Sequence, residues 1–182
     1  VIPIVTAYNP DENLEKVISG LVEAKFKEII VVNVDSDQSH NKYFEAVKKH
    51  ENCTVLYNDP EKGRGRALKI AFKYLLENKI KAAGIITVNG YNQFNMKDIV
   101  ACSKELVKNK EDIIIGSRDF KNKEFPFGKR LGNFLMKLIC RFACGCNLAD
   151  PLSGLRAVPY AYLEDFRGVK GDMYDYDTNM LI

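Results

Sequence analysis

Short apolar runs without alternation are followed, one after another, by longer segments in which apolar residues return every three or four positions. Val1–Val5, Ile29–Val32, Cys53–Tyr57, the run that begins Gly84-Ile-Ile-Thr-Val88, and Ile113–Ile115 read as five strands. Apolar throughout, they suit a sheet covered on both faces. The intervening segments carry helical faces: Leu14, Val17, Ile18, Leu21 and Val22; Tyr43, Phe44 and Val47; Ala67, Leu68, Ala71, Phe72, Leu75 and Leu76; Met96, Ile99, Val100 and Val107. Asn9 as cap, Pro10 at the first helical position and Glu12 predict where the first helix starts. Alternation of this kind predicts an α/β domain, a mainly parallel sheet with helices on both faces, because parallel strands need crossover connections.

The last third changes character. Lys129–Phe142 predicts a helix whose apolar face holds Leu131, Phe134, Leu135, Leu138, Ile139 and Phe142, with Lys129, Arg130, Lys137 and Arg141 beside it. Two readings stand: a helix on an anionic membrane surface, or a helix packed on its own core. Asp150-Pro-Leu-Ser-Gly-Leu-Arg156 reads as a loop entering a short strand. Gly171–Asp177 is an acidic, aromatic segment.

Composition narrows the classes. The 182 residues, 46% hydrophobic and 28% charged, suffice for one sizeable core. A formal net charge of +3 gives no argument for a nucleic-acid partner, and two histidines give none for a histidine metal site. Cys53, Cys102, Cys140, Cys144 and Cys146 lack zinc-ribbon spacing and read as reduced thiols in a cytoplasmic setting, with a metal cluster of the last three as the weaker alternative. No stretch of 18 apolar residues is present, and the chain reads as a single domain, residues 1–182, trimmed at its C-terminal end.

Chemistry enters at the strand ends, where parallel sheets gather ligands. Lys62-Gly-Arg-Gly-Arg66 before a helix invites a phosphate reading through glycine amides and cations, with surface turn residues as the alternative. It lacks the spacing of the known nucleotide loops.

Together, Ile4-Val-Thr-Ala-Tyr-Asn-Pro-Asp-Glu-Asn-Leu14, Glu61-Lys-Gly-Arg-Gly-Arg-Ala-Leu68, Gly116-Ser-Arg118 and Asp150-Pro-Leu-Ser-Gly-Leu-Arg156 resemble the family 2 glycosyltransferases of GT-A fold. The likeness is nearest to their polyprenyl- and dolichyl-phosphate sugar transferases. The resemblance implies a nucleotide-sugar donor and a lipid-phosphate acceptor at a membrane surface, with the protein peripheral at its cytoplasmic, inner face. It places the donor at Ala7, Tyr8, Asn33, Asp35, Ser36, Lys62, Arg66, Asn89, Tyr91 and Gln93. Arg118, Arg130 and Arg156 are the implied contacts to the acceptor phosphate, and Asp150 the candidate catalytic carboxylate.

Two loops depart from the family pattern. Asn33-Val-Asp-Ser36 stands for Asp-Asp-Gly-Ser, and Asn89-Gly-Tyr-Asn-Gln-Phe94 for Asp-x-Asp-Gly-Gln-His. The family's Mg²⁺ or Mn²⁺ is expected to lose its usual carboxylates, since an amide oxygen is a neutral ligand and a tyrosine hydroxyl a poor one. Asp35 and Asp37 from a rearranged loop, or Lys62, Arg64 and Arg66 acting without metal, are the substitutes the sequence offers. A sugar transferase and a catalytically inactive binding or scaffolding relative both remain open.

Overall fold

A computed structural model describes residues 1–57, 63–120, 126–145, 147–173 and 175–181. Four strands run parallel: β1 (Ile2–Ala7), β2 (Ile29–Asn33), β3 (Cys53–Tyr57) and β4 (Gly84–Asn89). Two further strands, β5 (Ile114–Ile115) and β6 (Arg156–Pro159), complete a six-stranded sheet in the order β3-β2-β1-β4-β6-β5. The fifth strand of the sequence does not lie beside the fourth. β6 intervenes and runs antiparallel to both, with Thr87 opposite Arg156 and Ile115 opposite the same arginine.

Side chains of β1 divide the core by alternation. Val5 and Ala7 point to one face, where they pack with Leu14, Val17, Ile18 and Leu21 of α1 (Asn13–Glu23), Phe44 and Val47 of α2 (Asn41–Val47), and Ile99 and Leu106 of α4 (Met96–Lys108). Ile2 and Ile4 point to the other, against Leu68, Phe72 and Leu75 of α3 (Arg64–Glu77), Leu163 of α6 (Leu163–Gly168) and Tyr176 of α7 (Asp175–Asn179). Burial on both sides is the physical reason that these strands carry no polar alternation.

The start of α1 differs from the sequence expectation. Asn9 adopts a positive φ of 43°, and its side chain turns away to Asp37, its amide donating to the carboxylate at 3.1 Å while its Oδ1 accepts from the Asp37 N–H at 2.8 Å. The helix then begins four residues later, after Glu12. A tertiary partner outcompetes the local cap, since the same side chain cannot serve both.

The remaining helix, α5 (Phe127–Cys144), ends on Gly145 at a φ of 67°, whose N–H returns to the Cys140 carbonyl. No described helix is long and apolar enough to cross a membrane.

Candidate functional site

The strand order reverses between β1 and β4, and a cavity of about 630 Å³ opens at their carboxyl ends. Thr6 and Asn89, paired in register across those strands, form its floor, with Tyr8, Tyr91, Gln93 and Phe94 on the loops above. Gly63 and Arg64, Arg118, Leu152–Gly154, Met173 and Asp177 close the other sides. Crevices at such a reversal are where open sheets of this class bind ligands.

Asn89 occupies the position of a metal-site carboxylate in the family pattern, and its groups are engaged by neighbours. Its Oδ1 accepts the Tyr91 N–H at 3.1 Å, which fixes the amide orientation, and its Nδ2 donates to Gln93 Oε1 at 2.9 Å. Tyr91 donates its hydroxyl to the Tyr8 carbonyl at 2.5 Å. All four residues line the cavity, but as a neutral, mutually bonded set. Mg²⁺ and Mn²⁺ favour anionic oxygens, so these positions do not fit the divalent ion of the family pattern.

The β2 loop forms a second hydrogen-bonded cluster. Asn33, buried, accepts the Ser36 N–H at 2.9 Å, and Ser36 Oγ accepts the Asn9 N–H at 2.9 Å. Asp35 occupies the place of the family glycine with a φ of 54°, a left-handed conformation that aspartate tolerates better than most side chains. Of this loop only Val34 lines the cavity; Asn33, Asp35, Ser36 and Asp37 do not, and neither does Ala7, whose carbonyl accepts the Val34 N–H.

Charge reaches the cavity through Arg64 and Arg118. Arg64, at the first turn of α3, donates Nε to Asp177 (2.8 Å), Nη1 to Thr6 Oγ1 (3.0 Å) and Nη2 to the Gly154 carbonyl (3.0 Å). One side chain thus ties the sheet, the 150–156 loop and α7. The second carboxylate oxygen of Asp177 is buried with no hydrogen-bond partner among the described residues. Arg118 makes a forked pair with Asp150, Nε at 2.7 Å and Nη2 at 2.8 Å, and its own N–H reaches the same carboxylate at 3.1 Å. That carboxylate raises the Arg118 pKa above its ordinary value and has no exposed surface, so Asp150 acts on Arg118.

Arg156 behaves unlike the phosphate-facing cation expected of it. It is 1% exposed and outside the cavity lining, and it donates to the carbonyls of Ser153 (2.9 Å), Pro151 (2.7 Å) and Asp177. Burial is the chief cause that lowers its pKa. Its planar fork suits three carbonyls at once, and the physical outcome is a clamp between the 150–156 loop and α7. Arg130 lies on α5 and Arg66 on α3, neither lining the cavity, and Lys62 lies outside the described residues.

The glycines of Gly63-Arg64-Gly65 have a packing role. Gly63 holds a φ of 143°, and a Cβ there would stand 2.0 Å from the Asp172 carbonyl oxygen; one on Gly65 would stand 2.5 Å from Tyr176. The Arg66 N–H donates to the Asp172 carbonyl at 3.1 Å. The missing side chains let Asp172 and Tyr176 lie directly on the α3 start, which carries Asp177 to Arg64. Sequence reading passed over Asp177, Thr6 and Gly154; the one signal for Asp177 was the acidic, aromatic character of its segment.

A family model described as Glycosyl transferase family 2 matches residues 4–167. An uncharacterized protein of Methanocaldococcus jannaschii is 32% identical over 98% of this chain and 73% of its own length. The UDP-N-acetylglucosamine--dolichyl-phosphate N-acetylglucosaminyltransferase of Methanococcus voltae is 24% identical over 85% of this chain and 67% of its own. Among solved structures, glucosyl-3-phosphoglycerate synthase from Mycobacterium tuberculosis, in complex with Mn²⁺, UDP and phosphoglyceric acid, superposes with a TM-score of 0.70 at 17% identity, over 98% of this chain. The chain spans 61% of that protein's length.

Proposed function

The chain belongs to glycosyl transferase family 2, and on that premise we propose that it transfers a sugar from a nucleotide diphosphate to a lipid-phosphate acceptor. The observation that carries this reading is the cavity at the β1 and β4 ends, lined from separate elements by the Arg64 and Arg118 guanidiniums. A phosphate oxygen of the acceptor attacks the anomeric carbon, the bond from that carbon to the diphosphate breaks, and the nucleoside diphosphate leaves with the electron pair. The acceptor is already an anion near neutrality, so no general base is required. Fixed cations in a partly closed site offset the charge gathering on the leaving group.

Arg64 takes the leaving-group role because it enters the cavity wall at a helix start, bonded to Thr6 on the floor. Arg118, held in a fork by Asp150, takes the acceptor phosphate. Tyr8, Asn89, Tyr91 and Gln93 then shape the donor site without supplying a divalent ion. The relatives support a phosphate-bearing acceptor: the Methanococcus voltae enzyme is named for dolichyl phosphate, and the Mycobacterium tuberculosis structure holds phosphoglyceric acid.

One observation favours a second reading, a binding module without turnover. Asn89 and Tyr91 stand where the family pattern has its carboxylates, and their hydrogen bonds tie them into a neutral set. The test is release of nucleoside diphosphate from uridine and guanosine diphosphate sugars in the presence of a polyprenyl phosphate. Acceptor-dependent release that falls at least about tenfold in Arg118→Lys, which keeps the charge but loses the fork, supports the transferase. Donor binding with no release supports the module.

A further inference from the structure

The outer face of α5 is apolar and is not covered by the described residues. Leu131, Phe134, Leu135, Ile139 and Phe142 are exposed, Phe134 at 56% and Phe142 at 83%, while among the described side chains of the helix the buried ones are Asn133 and Cys140. A helix packed on its own core shows the reverse, its large apolar side chains inward and its amide outward. At 100° per residue Leu131, Leu135 and Phe142 fall within about 40° of one another, with Arg130, Lys137 and Arg141 together along one border.

Charge selects the occupant. Residues 127–144 hold Lys129, Arg130, Lys137 and Arg141 and no Asp or Glu, a formal +4 on one helix. The whole chain carries +3, so everything outside this helix nets −1. A second copy would bring a like-charged +4 helix to the same contact, and like charges across an interface disfavour it. A surface that accepts apolar side chains to a shallow depth and is itself negative fits both features.

We infer that α5 docks in-plane on an anionic lipid bilayer, burying Phe134, Leu135 and Phe142 among the acyl chains and setting Lys137 and Arg141 at the headgroups. This deepens the lipid-phosphate reading by naming the surface on which such an acceptor is met. The helix is also tied to the site: Asn133 Nδ2 on its buried side donates to the Ala149 carbonyl at 3.2 Å, next to the Asp150 that holds Arg118.

Co-sedimentation with phosphatidylcholine vesicles, with and without phosphatidylglycerol, tests the docking with no donor or acceptor present. Binding is expected to the anionic vesicles and to weaken as salt rises. Phe134→Ser with Phe142→Ser is expected to abolish it, and Lys137→Gln with Arg141→Gln to weaken it by one to two orders of magnitude. Both pairs lie on the outer face and its border, so an unchanged thermal unfolding curve separates lost docking from lost fold. Equal binding to neutral vesicles, wild-type binding by either double variant, or a dimer that the phenylalanine variant dissociates would overturn the inference. Nucleotide-sugar binding by the phenylalanine variant, measured by calorimetry, stays at the wild-type level if only docking fails. Its absence in the wild-type chain would count against the transferase reading instead.

Discussion

Asn89 Nδ2 donates a 2.9 Å hydrogen bond to Gln93 Oε1, so the residue at a family metal position and the glutamine retained from the same motif hold each other. The bond is directional. Tyr91 N–H takes the Asn89 oxygen, which leaves the amide nitrogen for Gln93. A carboxylate at position 89 would keep the Tyr91 bond but has no donor for Gln93, which must then turn or bind elsewhere.

Asn89→Asp together with Tyr91→Asp is therefore expected to open this loop and to create a Mn²⁺-dependent component of nucleotide-sugar binding. Calorimetry with and without Mn²⁺ should show about tenfold or more tightening by metal in the double variant. No metal effect would mean that the β2 loop, where Asn33 and Val34 also replace aspartates, has closed the site to the ion as well.

Arg156 is expected to matter for stability far more than its loop position suggests. Arg156→Met leaves the Ser153, Pro151 and Asp177 carbonyls without their donor in a buried setting, a loss of about 3 kcal/mol or more in urea unfolding. Arg156→Lys is expected to rescue little, because one ammonium cannot span three carbonyls in the geometry of a planar fork.

Gly63→Ala is expected to cost about 2–3 kcal/mol, since the added methyl meets the Asp172 carbonyl and the backbone stays at a φ of 143°. Gly168→Ala meets nothing within 4 Å and serves as the control, with a change inside about 0.5 kcal/mol. Equal melting curves for the two variants would contradict the packing role of the first glycine.

Tyr176 gives a pH prediction. Burial first, then the Asp177 charge, raises its pKa, and its hydroxyl donates to the Phe166 carbonyl at 2.6 Å. The folded state thus holds the proton more tightly than the unfolded chain. The corresponding stability is complete below the unfolded value, about 10, and is lost as pH rises above it. Unfolding midpoints measured from pH 8 to 11 should fall more steeply for the wild type than for Tyr176→Phe.

Much of the frame was legible because it rests on local signals. Ile29–Val32 is apolar at every position and Ile85–Val88 at all but Thr87, as two covered faces demand, and α1, α3 and α4 announce themselves by spacing. What escaped depends on contacts distant in sequence. A four-residue strand, Arg156–Pro159, gives no hint that it will insert beside β4 and displace β5 to the edge. Arg156 reads as a phosphate-facing cation until three carbonyls converge on it. Asp177 reaches Arg64 across 113 residues, by way of two glycines whose use is to admit a neighbouring backbone. The cavity positions Tyr8, Asn89, Tyr91, Gln93 and Arg118 came from motif register, which locates strand ends well. Motif register does not reveal that Asn33 would bond within its own loop, or that Asn9 would bond across to Ser36 and Asp37.

Isothermal titration of the chain with uridine and guanosine diphosphate sugars, in EDTA and then in Mn²⁺, tests the central claim most directly. The arginine-lined cavity predicts binding of at least one donor in EDTA, with an affinity that Mn²⁺ changes less than about tenfold. Binding that exists only with Mn²⁺, or no donor binding under either condition, would contradict it.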